Sequence, residues 1–443
     1  MRVALFVHCY YPGHFYGTES YTRNLARELA SLGHEPVVVT ATFPGEPRQS
    51  TLAERDSFDG IPVIRIDRNV IPNRGVRDTY DLPDLHFVHE RILRDVRPDI
   101  VHVCHLINHT TALLDVTRRL GLTTVATFTD FFGFCYNNKL STPDGALCAG
   151  PNRQRSNCLA CALFPQQAAD EGSAGRLRRA IVPRVLARVP RLAGPEAPTI
   201  AALRARPDHL RAAYGAYAGA LAPTRFLLEA YRKAGIPVPL ELSRFGIDID
   251  RAPKPERPPG PTRIGFVGQL AAHKGPHLLI EALRRVGSPA LTLDIHGDEA
   301  MDPAYAGRLR ELAAGLPVTF RGTFPMERIA AVLGEMDVLA IPSTWVENSP
   351  LILLQALATH TPVLVSRVEG MSEFVEEGRN GFSFPTGSVD DLAGLLGRFA
   401  ATPGLARELG AQTQYGRTSR AMVADVVALY DRVRAGATGP GGE

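Results

Sequence analysis

Short apolar runs alternate with longer amphipathic ones from the N-terminus to about residue 250, and the same alternation restarts at Arg263. Few architectures accept that order. Strands apolar on both faces must be covered on both sides, and strand–helix–strand connections with right-handed crossovers build a parallel sheet. In the first series Arg2–Val7, Glu35–Thr40, Pro62–Ile66, Ile100–Cys104 and Thr123–Thr127 read as strands. Ser20–Leu32, with Leu25, Leu29 and Leu32 on one face and Gly33 as its stop, reads as a helix, as does Asn108–Leu120 before Gly121. In the second series Ile264–Val267, Leu291–Ile295, Val318–Phe320, Val338–Ile341 and Pro362–Val365 read as strands. His277–Arg285, Ala304–Ala314, Met326–Leu333 and Leu351–Ala358 read as the helices between them. Two tandem series predict two doubly wound α/β domains.

The proline-rich stretch Arg251–Pro261 marks the boundary, because proline stiffens an extended linker and removes backbone donors. The expected organisation is a domain over 1–250, a linker over 251–262, a second domain over 263–415 and a C-terminal helix over 416–435. That helix is expected to pack back on the first domain, and the glycine-rich 436–443 is expected to be disordered. A composition of 45% hydrophobic and 21% charged residues excludes wholesale disorder, and a net charge of +3 gives no basis for a nucleic-acid partner. No apolar run reaches the ~20 residues that a membrane helix needs. Met1–Cys9 reads as a buried first strand and not as a signal peptide, so the expectation is a cytoplasmic enzyme.

Ligands of open α/β sheets bind outside the carboxyl ends of the strands, and three segments there suit a diphosphate. Tyr11–Glu19 offers Gly13 and Gly17 ahead of a helix N-terminus, where unpaired amides favour an anion. Phe266–Gly275 carries Gln269 and Lys274, and a lysine reaches phosphate oxygens as a point charge; the segment matches neither a Walker A loop nor a G-x-G-x-x-G fingerprint. Pro342–Leu351 leads into the helix Leu351–Ala358, with Ser349 as the expected N-cap, Pro350 in the tolerant first turn and Gln355 facing the same mouth. Glu347 stands just outside. A carboxylate beside an anion site is unfavourable unless it serves sugar hydroxyls or a developing positive charge.

The order Gly17-Thr-Glu, Gly268-Gln-Leu-x-x-His-Lys-Gly275, Glu347-Asn-Ser-Pro-Leu, Thr361–Ser366 and Gly378–Phe382 resembles family 4 of the retaining glycosyltransferases. The resemblance implies the GT-B architecture, two Rossmann-like domains facing each other across a cleft. It implies a nucleoside-diphosphate-sugar donor, a glycan or lipid-linked acceptor and no cofactor for catalysis. By the same resemblance Lys274 would bind the donor diphosphate and Glu347, the first acid of an E-x7-E motif, would contact the transferred sugar. Asn348, Ser349, Pro350 and Leu351 would meet sugar hydroxyls and phosphate, Gly17 would close over the phosphates, and Asp130 would be catalytic. Three positions depart from the family's pattern: Gln355 replaces the second acid, Gln269 an arginine, and Thr129 the histidine of a His-Asp pair. They keep open a slow, specialised or inactive enzyme; Gln355 and Thr129 favour the alternative of a non-catalytic sugar-nucleotide or glycan-binding partner of another transferase, and a GT-B sugar-nucleotide epimerase is a further alternative.

Two features lie outside that frame. An insert over 131–167 holds Cys135, Cys148, Cys158 and Cys161; the Cys-x2-Cys pair has the bite of a tetrahedral zinc site in a turn-rich segment without an obvious core. An iron–sulfur cluster takes the same ligands, and four unrelated thiols are the alternative. Between Gly172 and Pro195 stand Arg176, Arg178, Arg179, Arg184, Arg188 and Arg191 with no Asp or Glu, interleaved with Leu177, Ile181, Val185 and Val189. Such a segment lies on an anionic inner membrane face or is a solvated basic face over a core stripe, and Pro183 and Pro190 are expected to shorten any helix there.

Overall fold

The computed structural model describes residues 1–47, 52–164, 173–252, 254, 258 and 260–437. The chain divides into two compact units: Met1–Gly246 with the helix Ser419–Ala437, and Ile247–Thr418. The expected tail lies, beyond Gly436 and Ala437, outside the described residues.

Unit 1 holds strands β1 (Arg2–Phe6), β2 (Glu35–Thr42), β3 (Ala53–Phe58), β4 (Ile61–Asp67), β5 (Ile100–Val103), β6 (Thr124–Thr127), β7 (Gly219–Ala222) and β8 (Leu240–Leu242). They form one sheet in the order β3-β4-β2-β1-β5-β6-β7-β8. All neighbours are parallel except β3 and β4, an antiparallel hairpin. The hairpin turns at Asp59-Gly60, with φ of 53° and 75°, the primed geometry that suits two-residue connections. β3 reads AERDSF and sits at the sheet edge, so it lacks the apolar pattern that identifies the other strands. The central strands are buried throughout: Val3, Ala4, Leu5, Phe6, Ile100 and Val101 are all inaccessible to solvent. The helix expected over Asn108–Leu120 starts only at Ala112. Asn108 and Thr110 take left-handed φ of 69° and 55°, and Asn108 Nδ2 donates to His8 O instead of entering a helix. The helix Ser419–Ala437 packs on the helix Gly17–Ser31, and its Tyr430 hydroxyl lies 2.7 Å from His102 Nδ1.

Unit 2 holds β9 (Thr262–Val267), β10 (Leu291–His296), β11 (Val318–Gly322), β12 (Val338–Ile341), β13 (Val363–Ser366) and β14 (Gly381–Phe384), in the all-parallel order β11-β10-β9-β12-β13-β14. Its core joins Ile264, Phe266, Leu293, Leu309, Leu364 and Phe384 across the sheet and its helices. In each sheet the strand order reverses once, between β1 and β5 and between β9 and β12. Those switch points open crevices at the carboxyl ends of the strands, where ligands of this fold class bind.

Candidate active site

The loops that leave β9 and β12 carry the second and third anion-binding segments. Two glycines bring them together with a third segment. Gly275 has φ 73°, and a Cβ there would stand 2.1 Å from Pro342 O. A Cβ on Gly370, in the short helix Glu369–Ser372 after β13, would stand 1.8 Å from Glu347 O. Backbone therefore lies directly on backbone at both points, and Ser349 N donates to Gly370 O at 3.1 Å across the second. Lys274 and Glu347, 73 residues apart, meet as a result: Nζ is 2.6 Å from Oε1.

Glu347 Oε1 accepts two further hydrogen bonds, from Ser343 Oγ at 2.8 Å and from Trp345 Nε1 at 2.7 Å. Oε2 takes none from the described residues. Burial acts to raise the carboxyl's pKa, but the Lys274 charge and the three donors outweigh it and hold the group below the usual carboxylate range. The Lys274 ammonium also lies 4.8 Å from the Trp345 ring centroid, and His273 packs on the same indole at 4.4 Å. One side of the carboxylate is thus anchored and the other is left for a ligand.

The helix Leu351–Ala358 opens beside this pair. Its expected cap is corrected: Pro350, with φ −57° and ψ 126°, takes the N-cap position and makes no side-chain cap. Ser349 is displaced one place outward at φ 55°, and its buried Oγ has no partner. The first backbone bond of the helix runs from Leu353 N to Pro350 O, so the Leu351 and Ile352 amides find no acceptor among the described residues. An orphaned hydroxyl and two open amides form a cradle for an anion or for sugar hydroxyls. Gln355 lies one turn on from Leu351, half-buried on the least covered stripe of the helix, and makes no side-chain hydrogen bond among the described residues. Gln269 is half-buried in the β9 loop, without a side-chain hydrogen bond among the described residues. Asn348 bridges to Gly370.

Gly17 and Asp130 belong to unit 1. Gly17 begins the helix Gly17–Ser31, which has no side-chain cap, and the space where its Cβ would point is open. Asp130 follows β6 and is not isolated. His105 Nε2, from the end of β5, lies 2.8 Å from Asp130 Oδ2, and the Phe132 amide donates to Oδ1 at 2.9 Å. An imidazole from another strand end thus lies beside Asp130, although residue 129 is Thr. His8 follows β1; its ring centroid is 4.5 Å from that of His105, and its Nε2 is 3.3 Å from the buried Glu19. Burial pushes the Glu19 carboxyl up and the His8 imidazole well down. Thr18 Oγ1 donates to Thr129 Oγ1 at 3.0 Å. His8 and His105 each stand just past an apolar strand, and that position was the available signal for them.

The insert is rooted by buried Arg206, which donates to Phe132 O and Cys135 O. It has more core than its sequence suggests: Leu159, Ala187, Ile200 and Leu203 form an apolar cluster. Cys135, Cys148, Cys158 and Cys161 are free and line one small cavity. The Asn137 and Leu140 amides meet the Cys135 sulfur, and Asn157 Nδ2 donates to the Cys148 sulfur at 3.6 Å. The sulfurs also reach oxygen acceptors, Cys135 at 2.9 Å from Asn137 Oδ1 and Cys148 and Cys161 at 3.7 Å from Gly150 O and Ser141 O, and burial pushes the Cys158 and Cys161 thiols up to about 12. Among the described residues no three His, Cys, Asp or Glu side chains already stand as a metal-holding set.

Two doubly wound units, one with an anchored lysine–carboxylate pair beside open helix amides at its switch point, define a two-domain α/β protein of the doubly wound class. Residues 248–415 match the family described as Glycosyl transferases group 1, and residues 15–144 match Glycosyltransferase Family 4. The chain belongs to this group of glycosyltransferases. Over 163 residues it is 32% identical to a D-inositol 3-phosphate glycosyltransferase of Rhodococcus erythropolis, covering 35% of this chain and 37% of that one. Over 157 residues it is 32% identical to a glycogen synthase of Mycobacterium tuberculosis, covering 34% and 38%. The matches thus span little more than a third of these relatives' length. Among solved structures, sucrose-phosphate synthase of Thermosynechococcus elongatus aligns over 98% of this chain and 99% of its own, with 17% identity and a TM-score of 0.65. Anabaena HepE in complex with UDP-glucose aligns over 99% and 100%, with 15% identity and a TM-score of 0.58. These likenesses show the GT-B fold.

Proposed function

We propose that the protein transfers a sugar from a nucleoside-diphosphate sugar to a glycan or lipid-linked acceptor, with the anomeric configuration retained. The observation that carries this reading is the Glu347 carboxylate, held on one oxygen by Lys274, Ser343 and Trp345 and open on the other. A diphosphate beside Lys274 and the Leu351 and Ile352 amides finds the positive charge that its departure requires. Oε2 accepts hydroxyls of the transferred sugar, and the carboxylate stabilises the anomeric carbon as it gains positive charge. The bond from that carbon to the diphosphate oxygen breaks, the bond to the acceptor oxygen forms on the same face, and the acceptor proton passes to the leaving diphosphate. Uridine is the first base to try, because HepE was solved with UDP and with UDP-glucose.

Thermal stabilisation by UDP-, GDP-, ADP- and dTDP-sugars identifies the donor by mass action. Turnover of that donor with an acceptor, and the anomeric configuration of the product by NMR, then test transfer and retention. A second reading, a donor-binding partner without turnover, draws support from Gln355 in place of an acid; stabilisation with no turnover under any acceptor is its signature.

We also propose a structural metal at the four cysteines, zinc before an iron–sulfur cluster. Their shared cavity and the N–H donors on two of the sulfurs support it, and binding would draw the thiols inward.

A further inference from the structure

The arginine-rich segment forms one helix, Ser173–Arg188, that runs through Pro183, followed by a 3-10 stretch, Pro190–Glu196. The expectation that Pro183 shortens it is corrected: Pro183 is buried on the inner face with Ala187. Ala187 and Leu186 belong to the cluster with Leu159, Ile200 and Leu203.

The outer face is apolar and basic together. Leu177 is 62% exposed, Ile181 47%, Val185 40%, Val189 46% and Leu192 67%. Leu177, Ile181 and Val185 recur every four residues and so share one side of the helix, and Val189 follows directly after its last residue. The stripe is therefore not core, which removes the alternative of a basic face over buried residues. Among the described residues, five of the fourteen exposed large apolar side chains fall within this one stretch, so the exposure is a patch and not scatter. Arg178, Arg184, Arg188 and Arg191 are exposed around it and form no ion pairs among the described residues. No carboxylate occurs between Gly172 and Pro195.

We infer that this face docks on an anionic lipid bilayer. The aliphatic side chains enter the headgroup–acyl boundary, and the guanidinium groups pair with lipid phosphates while their stems stay in the apolar layer. Charge selects this occupant. A second copy joined through the same patch would set arginines against arginines with no acid to pair them. Nucleic acid would take the charges but leave five aliphatic side chains uncovered, and the stretch has no aromatic residue for base stacking.

The test is co-sedimentation of the full chain with vesicles of equal phosphatidylglycerol and phosphatidylcholine, against pure phosphatidylcholine. Binding to the anionic vesicles alone is expected, weakening with salt. The variant Leu177→Ser/Ile181→Ser/Val185→Ser should lose at least tenfold in vesicle affinity at unchanged melting temperature. Arg184→Gln and Arg188→Gln should each cost about fivefold, the equivalent of ~1 kcal/mol per basic residue at such a surface. Equal binding by the triple-serine variant, no binding by the wild type, or a dimer in light scattering that the same serines dissolve would each overturn the proposal.

Discussion

Lys274 and Glu347 form an ion pair of 2.6 Å whose carboxylate is only 7% exposed, and the same oxygen takes two further donors. A pair buried this far is fixed in position, and its two members have separable roles.

Replacing Glu347 by Gln keeps the shape and much of the hydrogen bonding while removing the charge. If the carboxylate stabilises positive charge at the anomeric carbon, the loss falls on the transition state and appears in kcat. We expect kcat to drop ~100-fold or more, in the range of losing one preorganised electrostatic group, with donor Kd changed far less. Steady-state kinetics with calorimetric donor binding decide it. Surviving turnover with collapsed binding would make Glu347 a binding residue alone.

Lys274→Met acts on affinity and on stability. Donor binding should weaken by roughly 1.5–3 kcal/mol, the worth of hydrogen bonds to charged groups. Stability should also fall, because Glu347 is left buried without its cation; breaking such a pair costs ~3–5 kcal/mol. In the wild type the depressed carboxyl contributes stability above its unfolded pKa of about 4.3, which is lost as pH falls through the lower folded value. In the variant burial still pushes the carboxyl up and the lysine no longer opposes it. The deficit in melting temperature should therefore be largest at neutral pH, begin to shrink as pH falls through the variant's raised carboxyl pKa, and shrink further as pH approaches the wild type's depressed one. A deficit independent of pH would refute this account.

Gly370→Ala tests the loop junction without touching a charged group. Its Cβ would meet Glu347 O at 1.8 Å, and the obstacle is backbone, which cannot swing aside as a side chain can. Overpacking of this kind costs ~1–3 kcal/mol. Because the strain lands on Glu347 itself, donor affinity should fall more than melting temperature alone accounts for. Donor binding equal to wild type would show that the junction does not position the carboxylate.

The strand–helix alternation made ten of the fourteen strands among the described residues legible, and the three loops expected to suit an anion do leave the carboxyl ends of strands. Edge strand β3 escaped because it lacks apolar alternation, although Asp59-Gly60 announces its turn, and the short strands β7, β8 and β14, of three or four residues each, escaped as well. The partners of Glu347 escaped for a different reason. Nothing local connects Lys274, 73 residues away, to a carboxylate; the connection runs through Gly275 and Gly370, whose requirement is the absence of a Cβ. Ser349 had the chemistry of an N-cap, but its left-handed backbone moves the cap to Pro350. His105 could not be assigned to Asp130 until β5 and β6 were known to be neighbours.

For the insert, purified protein should carry about one zinc per chain by elemental analysis under reducing conditions. Cys158→Ser should lose it and increase amide exchange over 135–163, because structural zinc supplies folding free energy. Neither zinc nor iron in the wild type would leave four unconnected thiols.

The His105–Asp130 contact gives the last prediction. Ile107 N donates to His105 Nδ1 at 3.0 Å, so Nδ1 is the acceptor and Nε2 carries the proton that it donates to Asp130 Oδ2. Asp130 Oδ1 is held by the Phe132 amide. An Asn at 130 must spend its oxygen on that amide, which turns its NH2 toward the Nε2 proton. Two donors then face each other, and relief requires the imidazole to change tautomer and give up Ile107. Asp130→Asn should therefore disturb His105 as much as it removes a charge. We expect kcat to fall at least tenfold with melting temperature little changed. In a cycle with His105→Ala, the coupling should reach ~0.5–3 kcal/mol, as it does for residues in one hydrogen-bonded unit. Additive effects of the two substitutions on kcat would show that the contact supports structure and not the reaction.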